Sequence, residues 1–193
     1  MAFTLQLSAE APDFRLGGVD GKEYSLESFK QAKILIAVFS CNHCPAVIGS
    51  EDRMIQLHKD YGSKGVAMVS INSNEEQNHP DDSFEKMKER ARDKGFAFPY
   101  VRDESQDAAK AYGALRTPHF YVFDGQRRLC YTGRMDDNPF DASKAAQHDL
   151  RNALDAMLAG KKPPVALTNP IGCNVKWLGQ DAHWMPPEAC DLV

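Results

Sequence analysis

No apolar run in this sequence approaches the ~20 residues of a membrane-spanning helix, so a membrane is not an expected partner. An excess of basic charge is also missing. The 23 lysines and arginines are outnumbered by 27 acidic residues, for a net charge of −4, and nucleic acid is not an expected partner either. The opening Met1-Ala2-Phe3-Thr4-Leu5-Gln6-Leu7-Ser8 has no basic start, no long apolar core and no cleavage site. It does not read as a secretory signal, which makes the reducing cytoplasm the expected compartment. Cysteine is sparse. Cys41, Cys44, Cys130, Cys173 and Cys190 are too few and too scattered for a disulfide scaffold, and their odd number leaves a thiol over in any pairing. Internal repeats and low-complexity stretches are absent. At 193 residues, 42% hydrophobic and 26% charged, the composition suits one globular domain with some decoration.

Two of the cysteines stand close together, in Ser40-Cys41-Asn42-His43-Cys44-Pro45. The run Ile34-Leu35-Ile36-Ala37-Val38-Phe39 before them is short, apolar and partly β-branched, which predicts a buried strand. Residues from Ala46 to Tyr61 repeat apolar side chains (Val47, Met54, Ile55, Leu57, Tyr61) at roughly helical spacing, and Pro45 fits a first helical turn. A strand thus delivers two thiols to the start of a helix. The unsatisfied N–H groups and partial positive charge there favour a thiolate, which is the nucleophile of thiol–disulfide chemistry.

Around this unit the chain reads as α/β. Asp20-Gly21 predicts a turn between Phe14-Arg15-Leu16 and Lys22 to Leu26, followed by a helical turn near Glu27–Gln31. Val66 to Asn72 is a second buried strand, parallel to the first. The polar loop Ser73–Asp82 follows at its C-terminal end, where open α/β sheets place ligand sites. A helix is expected over Ser83–Lys94, capped by Asp81, Asp82 or Ser83, and a short strand over Phe98–Val101. Ser105–Tyr112 predicts a short helix, His119–Phe123 and Arg128–Thr132 a hairpin, and Ala142–Leu158 a last amphipathic helix. The Arg134-Met135-Asp136-Asp137 loop reads as a solvated turn. The expected domain spans residues 1–160. From 161 to 193, prolines forbid regular helix, yet Ile171, Val175, Trp177, Leu178 and Trp184 are too apolar for a free tail, so this extension should pack back on the domain.

Strand, Cys-x-x-Cys, helix, strand, helix and then Thr117-Pro118 ahead of a hairpin resemble the thioredoxin superfamily. Ala11-Pro12-Asp13-Phe14, Asp20-Gly21-Lys22 and Ser25-Leu26 resemble its branch shared by peroxiredoxins and TlpA-like thiol–disulfide oxidoreductases. Asn42-His43-Cys44-Pro45, Ile71-Asn72-Ser73-Asn74 and Gly172-Cys173-Asn174-Val175-Lys176-Trp177 are similar to an uncharacterised bacterial redoxin-domain group. The resemblance implies a thioredoxin-like fold with a mixed sheet and helices on both faces. It also implies a cis Pro118 facing the dithiol, Thr117 set against Cys41, and a free backbone edge there for an extended substrate strand. The function expected is thiol–disulfide oxidoreductase, needing no cofactor and no metal, with electrons from a dithiol protein partner or a small thiol. Cys41, first of the pair and the more exposed, is the expected nucleophile; Cys44 resolves the mixed disulfide; His43 tunes the thiols. Cys173 is a candidate third redox thiol, relaying a disulfide from Cys41. Cys130 reads as a packing residue, Cys190 as exposed and idle.

The sequence also departs from its relatives. Ser40 stands where thioredoxin has tryptophan, and the strand Ile34–Phe39 lacks thioredoxin's buried acid. Glu75, Glu76 or Asp103 are the candidates to supply that acid from elsewhere. A peroxiredoxin-like peroxidase is the alternative. Its peroxidatic cysteine would align with Cys44, placing Cys41 at its hydroxyl position and Ala37 at its proline, while Arg116 could approach the thiols and lower the pKa of Cys41. A third reading is a copper or zinc site, in which Cys41, His43 and Cys44 would be joined by His119, or by Cys173, His183 and Cys190.

Overall fold

The computed structural model describes residues 3–189. Its central strand, β3 (Ile34–Ser40), is buried at every position, which is why it reads as an unbroken apolar run rather than an alternating one. Successive residues still face opposite ways. Leu35, Ala37 and Phe39 join one core, and Ile34, Ile36 and Val38 join the other.

The remaining strands are β1 (Leu16–Gly18), β2 (Glu23–Tyr24), β4 (Val66–Asn72), β5 (Tyr100–Arg102), β6 (Arg116–Thr117), β7 (His119–Phe123), β8 (Leu129–Gly133) and β9 (Cys173–Asn174). Seven of them form one sheet in the order β2-β1-β5-β4-β3-β7-β8. β3 pairs parallel with β4 and antiparallel with β7, and β4 pairs parallel with β5, so the sheet is mixed. The helices are α1 (Pro45–Gly62), α2 (Phe84–Lys94), α3 (Asp107–Tyr112) and α4 (Asp149–Leu158). Met54, Leu57 and Tyr61 of α1 and Leu150, Ala153 and Leu154 of α4 pack on one face of the sheet. Ala108, Ala109 and Tyr112 of α3 pack on the other. This is the expected thioredoxin-like α/β architecture, with the N-terminal hairpin β1–β2 at one edge.

Two local expectations need correction. The last helix begins at Asp149, not Ala142: residues 142–144 form one 3-10 turn whose N-cap, Asp141, accepts from the Ser143 N–H. Asp137 then accepts from the N–H groups of Ala146 and Gln147, holding that segment in a loop. Nor is Arg134–Asp137 a solvated turn. Met135 and Asp136 are buried, Arg53 pairs with Asp136, and Arg134 Nε lies 2.7 Å from Asp149 Oδ2.

Part of the segment after α4 lies on the domain. Val175 and Trp177 enter the same core as Phe39 and Tyr112, so residues 175–177 complete the domain's own core. Leu178 remains exposed.

Candidate active site

The two cysteines sit where β3 gives way to α1. Cys44 is the N-cap of α1 with extended backbone, and Pro45 opens the helix. The Thr117–Pro118 peptide is cis, as the resemblance implied. Thr117 Oγ1 lies 3.4 Å from Cys41 Sγ, and the Thr117 carbonyl oxygen lies 3.1 Å from Cys44 Sγ. Both thiols are free and both are buried, Cys41 at 2% exposure and Cys44 at 0%, so the small difference leaves neither open to solvent.

The reason is the extension. β9 pairs antiparallel with β6, with Arg116 opposite Asn174 and Thr117 opposite Cys173. The backbone edge expected to be free for a substrate strand is occupied by the chain itself. Cys173 packs against the pair, and its N–H points at Cys44 Sγ from 3.4 Å. Arg116 serves this strand rather than the dithiol: its guanidinium donates to Gly172 O at 3.3 Å and to Asn174 Oδ1 at 3.1 Å.

Charge within the pair is unequally favoured. The Cys41 thiol, together with the N–H of Cys173 and the nearby N–H of Val47, draws the Cys44 pKa well below the ordinary thiol value despite burial. Burial, the bond to Cys44 and the nearby Asp82 carboxylate push Cys41 the other way. In this closed arrangement the charged form is more favoured on Cys44 than on Cys41, while the neutral Cys44 thiol donates to the Thr117 carbonyl oxygen.

A buried acid does lie behind the pair, supplied by a residue the sequence reading took only for a helix cap. Asp82 is fully buried at the end of the loop after β4, while the cap of α2 is Ser83. Asp82 accepts from the Asn42 N–H at 2.6 Å and from Asn74 Nδ2 at 2.7 Å, and its Oδ2 is 2.6 Å from His43 Nδ1. Burial alone would raise the Asp82 pKa, but His43, Asn74 and the Asn42 N–H overcome it and hold the carboxylate below its usual range. In return Asp82 raises the pKa of His43. The expected acids are spent elsewhere. Glu75 lies 2.6 Å from His79 Nδ1, Glu76 pairs with Arg102, and Asp103 accepts from Ser73 and the N–H groups that open α3. A polar residue ending a loop at the C-terminal edge of a central strand was the one signal that pointed toward Asp82.

Asn42 is fixed on three sides. Its amide donates to Asp81 O, its carbonyl accepts from Tyr100 OH, and its backbone N–H is held by Asp82. The His43 ring stacks on His79 with centroids 5.2 Å apart. A groove of about 390 Å³ opens beside them, lined by Asn42, His43, Ile48 and Arg90 among others. A larger cleft of about 490 Å³, at Lys33, Cys130 and Met157, shares no lining residue with this site.

Among the described residues, the one set of potential metal ligands with mutually close atoms is Cys41, His43 and Asp82, within 4.8 Å of one another. The set considered from sequence is not assembled. His119 is buried, with Nε2 3.0 Å from Thr132 Oγ1, and its pKa is driven down to about 3 by burial and by Arg116. His183 is exposed, and Cys190 lies outside the described residues. The donor atoms that are close are already committed to one another, since Asp82 holds His43, Asn42 and Asn74.

A Cys-x-x-Cys pair at a strand-to-helix junction, faced by a cis Thr-Pro across a mixed sheet, defines a thioredoxin-fold thiol protein. Residues 6–149 match the Redoxin family, and the chain belongs to it. It is 27% identical over 133 residues to the thiol-disulfide oxidoreductase ResA of Geobacillus thermodenitrificans, covering 67% of this chain and 71% of that one. A hypothetical protein from Sinorhizobium meliloti superposes with a TM-score of 0.87 at 37% identity, covering 93% of this chain and 98% of its own. An uncharacterised conserved protein from Geobacillus kaustophilus does so with the same TM-score at 40% identity, covering 93% and 96%.

Proposed function

We propose that this protein is a thiol–disulfide oxidoreductase whose Cys41–Cys44 pair exchanges a disulfide with a dithiol protein or a small thiol. The observation that carries this is the placing of the pair, with Cys44 capping the start of α1 and Cys41 Sγ 3.4 Å from Thr117 Oγ1 beside the cis Thr117–Pro118 peptide. A proton passing from Cys41 to Cys44 converts the stored charge into a Cys41 thiolate, which Thr117 Oγ1 can support. Cys41 then attacks a substrate disulfide, and one substrate sulfur leaves as a thiolate. Cys44 gives up its proton and attacks Cys41 Sγ, which releases the second substrate sulfur and closes the Cys41–Cys44 disulfide. Run backwards, the same steps oxidise a substrate dithiol. The reaction requires no organic cofactor, and a reducing compartment such as the cytoplasm would hold the pair as a dithiol. Similarity to ResA supports the reaction class.

One observation favours a second reading. The thiolate-favoured sulfur is Cys44, the position that aligns with a peroxidatic cysteine, so attack on peroxide at Cys44 is the competing chemistry. Arg116 does not assist it, being held by the extension. The deciding experiment is a glutathione redox titration of the Cys41–Cys44 couple beside parallel assays of disulfide reduction and peroxide consumption. A cycling dithiol that needs both cysteines supports the oxidoreductase. Rapid peroxide turnover that needs Cys44 but not Cys41 replaces it with the peroxidase.

A further inference from the structure

The strand laid along β6 is built to stay there. Gly172 approaches so closely that a Cβ on it would meet Thr117 O at 1.9 Å, so only glycine fits. Arg116 clamps both sides of Cys173 through Gly172 O and Asn174 Oδ1. The strand continues with Val175 N–H to Leu115 O at 3.2 Å. Lys176 N–H donates to Asn74 Oδ1 at 2.8 Å, and Gln106 holds Lys176 O and the Leu178 N–H at 2.8 Å each. Val175 and Trp177 anchor it in the core. A segment held this way occupies the register an extended substrate would take beside Thr117, and the residue it presents there is a cysteine. That cysteine is next to Cys44, with its N–H on the Cys44 sulfur and its side chain in the same cluster.

We propose that Cys173 is a third redox thiol acting on Cys44, and that the extension is an internal substrate strand. This rests on the dithiol reading above. Once a substrate disulfide has oxidised the pair, the Cys173 thiolate attacks Cys44 Sγ. The Cys41–Cys44 bond breaks, a Cys44–Cys173 bond forms, and Cys41 leaves as a thiolate that takes up the proton Cys173 lost. The step is an exchange, with no net oxidation and no further reagent. The sequence reading had Cys173 draw its disulfide from Cys41; the geometry assigns the contact to Cys44 instead. The two disulfide isomers differ in consequence. The Cys44–Cys173 isomer frees Cys41 as a thiol while bolting the extension over β6, so the strand edge stays closed to an extended protein substrate.

The test uses the full chain, equilibrated with reduced and oxidised glutathione over a range of ratios. The mixtures are acid-quenched, alkylated and digested without reduction for mass spectrometry. Wild type should show a cross-link joining the 34–53 peptide to the peptide carrying Cys173, beside the internal Cys41–Cys44 disulfide. Cys41→Ser, with Cys44 and Cys173 left, should form the cross-link quantitatively; Cys44→Ser, with Cys41 and Cys173 left, should not form it. Cys173→Ser should lower the apparent oxidation equilibrium constant by one plus the ratio of the two isomers in wild type, or about twofold at equal populations. A Cys41–Cys44 disulfide that forms in wild type while Cys173 remains alkylatable at every ratio, with no Cys44–Cys173 cross-link in Cys41→Ser, overturns the relay and leaves the dithiol reading standing. A pair that never oxidises overturns the dithiol reading itself.

Discussion

His43 Nδ1 lies 2.6 Å from Asp82 Oδ2, although 39 residues separate them in the chain. The contact ties the residue between the two cysteines to a carboxylate with no exposed surface. Each partner favours the charged form of the other.

The stability this pair contributes has two edges. The Asp82 pKa is lowered on folding, so its contribution is present above the unfolded value of 3.8 and is lost as pH falls through the folded value. The His43 pKa is raised, so its contribution is complete below the unfolded value of 6.5 and is lost as pH rises through the folded value. Asp82→Asn keeps the shape and removes the charge. We expect it to bring the His43 titration, followed by NMR, back toward 6.5 and to destabilise the fold by about 1–3 kcal/mol, since a buried hydrogen-bonded acceptor is replaced. An unchanged His43 titration would show that the pair is not formed in solution.

The thiolate should be visible directly. Reduced wild type is expected to gain absorbance near 240 nm with a midpoint well below 9.0, and Cys44→Ser should abolish that low transition. Cys41→Ala removes the principal donor to Cys44, so the midpoint should rise. The disulfide form does not titrate here. The reduced protein should therefore gain stability relative to the oxidised one as pH climbs from the folded Cys44 value toward 9.0, and the gain should be lost as pH falls back through it. A single midpoint at the ordinary thiol value in reduced wild type would remove the basis for charge on Cys44.

These two experiments probe features that differed in how legible they were. The dithiol was legible because a buried parallel strand must be continuously apolar and a proline after the second cysteine can only begin the helix. Thr117-Pro118 could be placed opposite the dithiol only through the resemblance to the thioredoxin superfamily, since nothing local in a Thr-Pro pair ahead of a hairpin points across the sheet. Asp82 was not legible as a site residue, since Asp-Asp-Ser before an amphipathic stretch is also what a helix cap looks like, and only the fold of the 73–83 loop buries one of the acids. Arg116 was misplaced for the opposite reason. Proximity to the Thr-Pro pair was correctly read, but its partners are backbone and side chain of the extension, and a pairing of residue 116 with residue 174 leaves no periodic trace. Helical spacing over 142–158 overran because a loop rich in alanine carries the same pattern as a helix, while Asp137 and Asp141 capture the N–H groups that a helix would need.

Metal should not be required. Cys41, His43 and Asp82 lie close enough to share an ion, but the carboxylate is already saturated and Cys41 favours its protonated form. Chelator treatment of the reduced protein is expected to leave its melting temperature and its disulfide-exchange rate unchanged. A fall in both that added zinc or copper restores, and that Asp82→Asn no longer shows, would move this site to the metal-binding class.

The extension should act as a removable cover, and Gly172→Ala is the variant that lifts it. The added methyl would sit 1.9 Å from the Thr117 carbonyl oxygen, a backbone atom of β6 that cannot swing aside as a side chain would, so the chain at residue 172 must retreat from β6. Overpacking of this kind costs about 1–3 kcal/mol. Here the strain falls on a two-residue strand pairing and not on the β3–β4–β7 centre, so local opening should be eased more than global unfolding. An easing of about 1.4 kcal/mol exposes the buried thiols roughly tenfold more often. Iodoacetamide should then label Cys41 about tenfold faster in reduced Gly172→Ala than in wild type, with the melting temperature little changed, because opening rather than unfolding limits access. The same variant should accept an extended peptide disulfide better than wild type while its rate with oxidised glutathione moves less. Equal labelling rates in the two proteins, with β9 cleaved by protease at equal speed, would mean that the extension does not guard the dithiol.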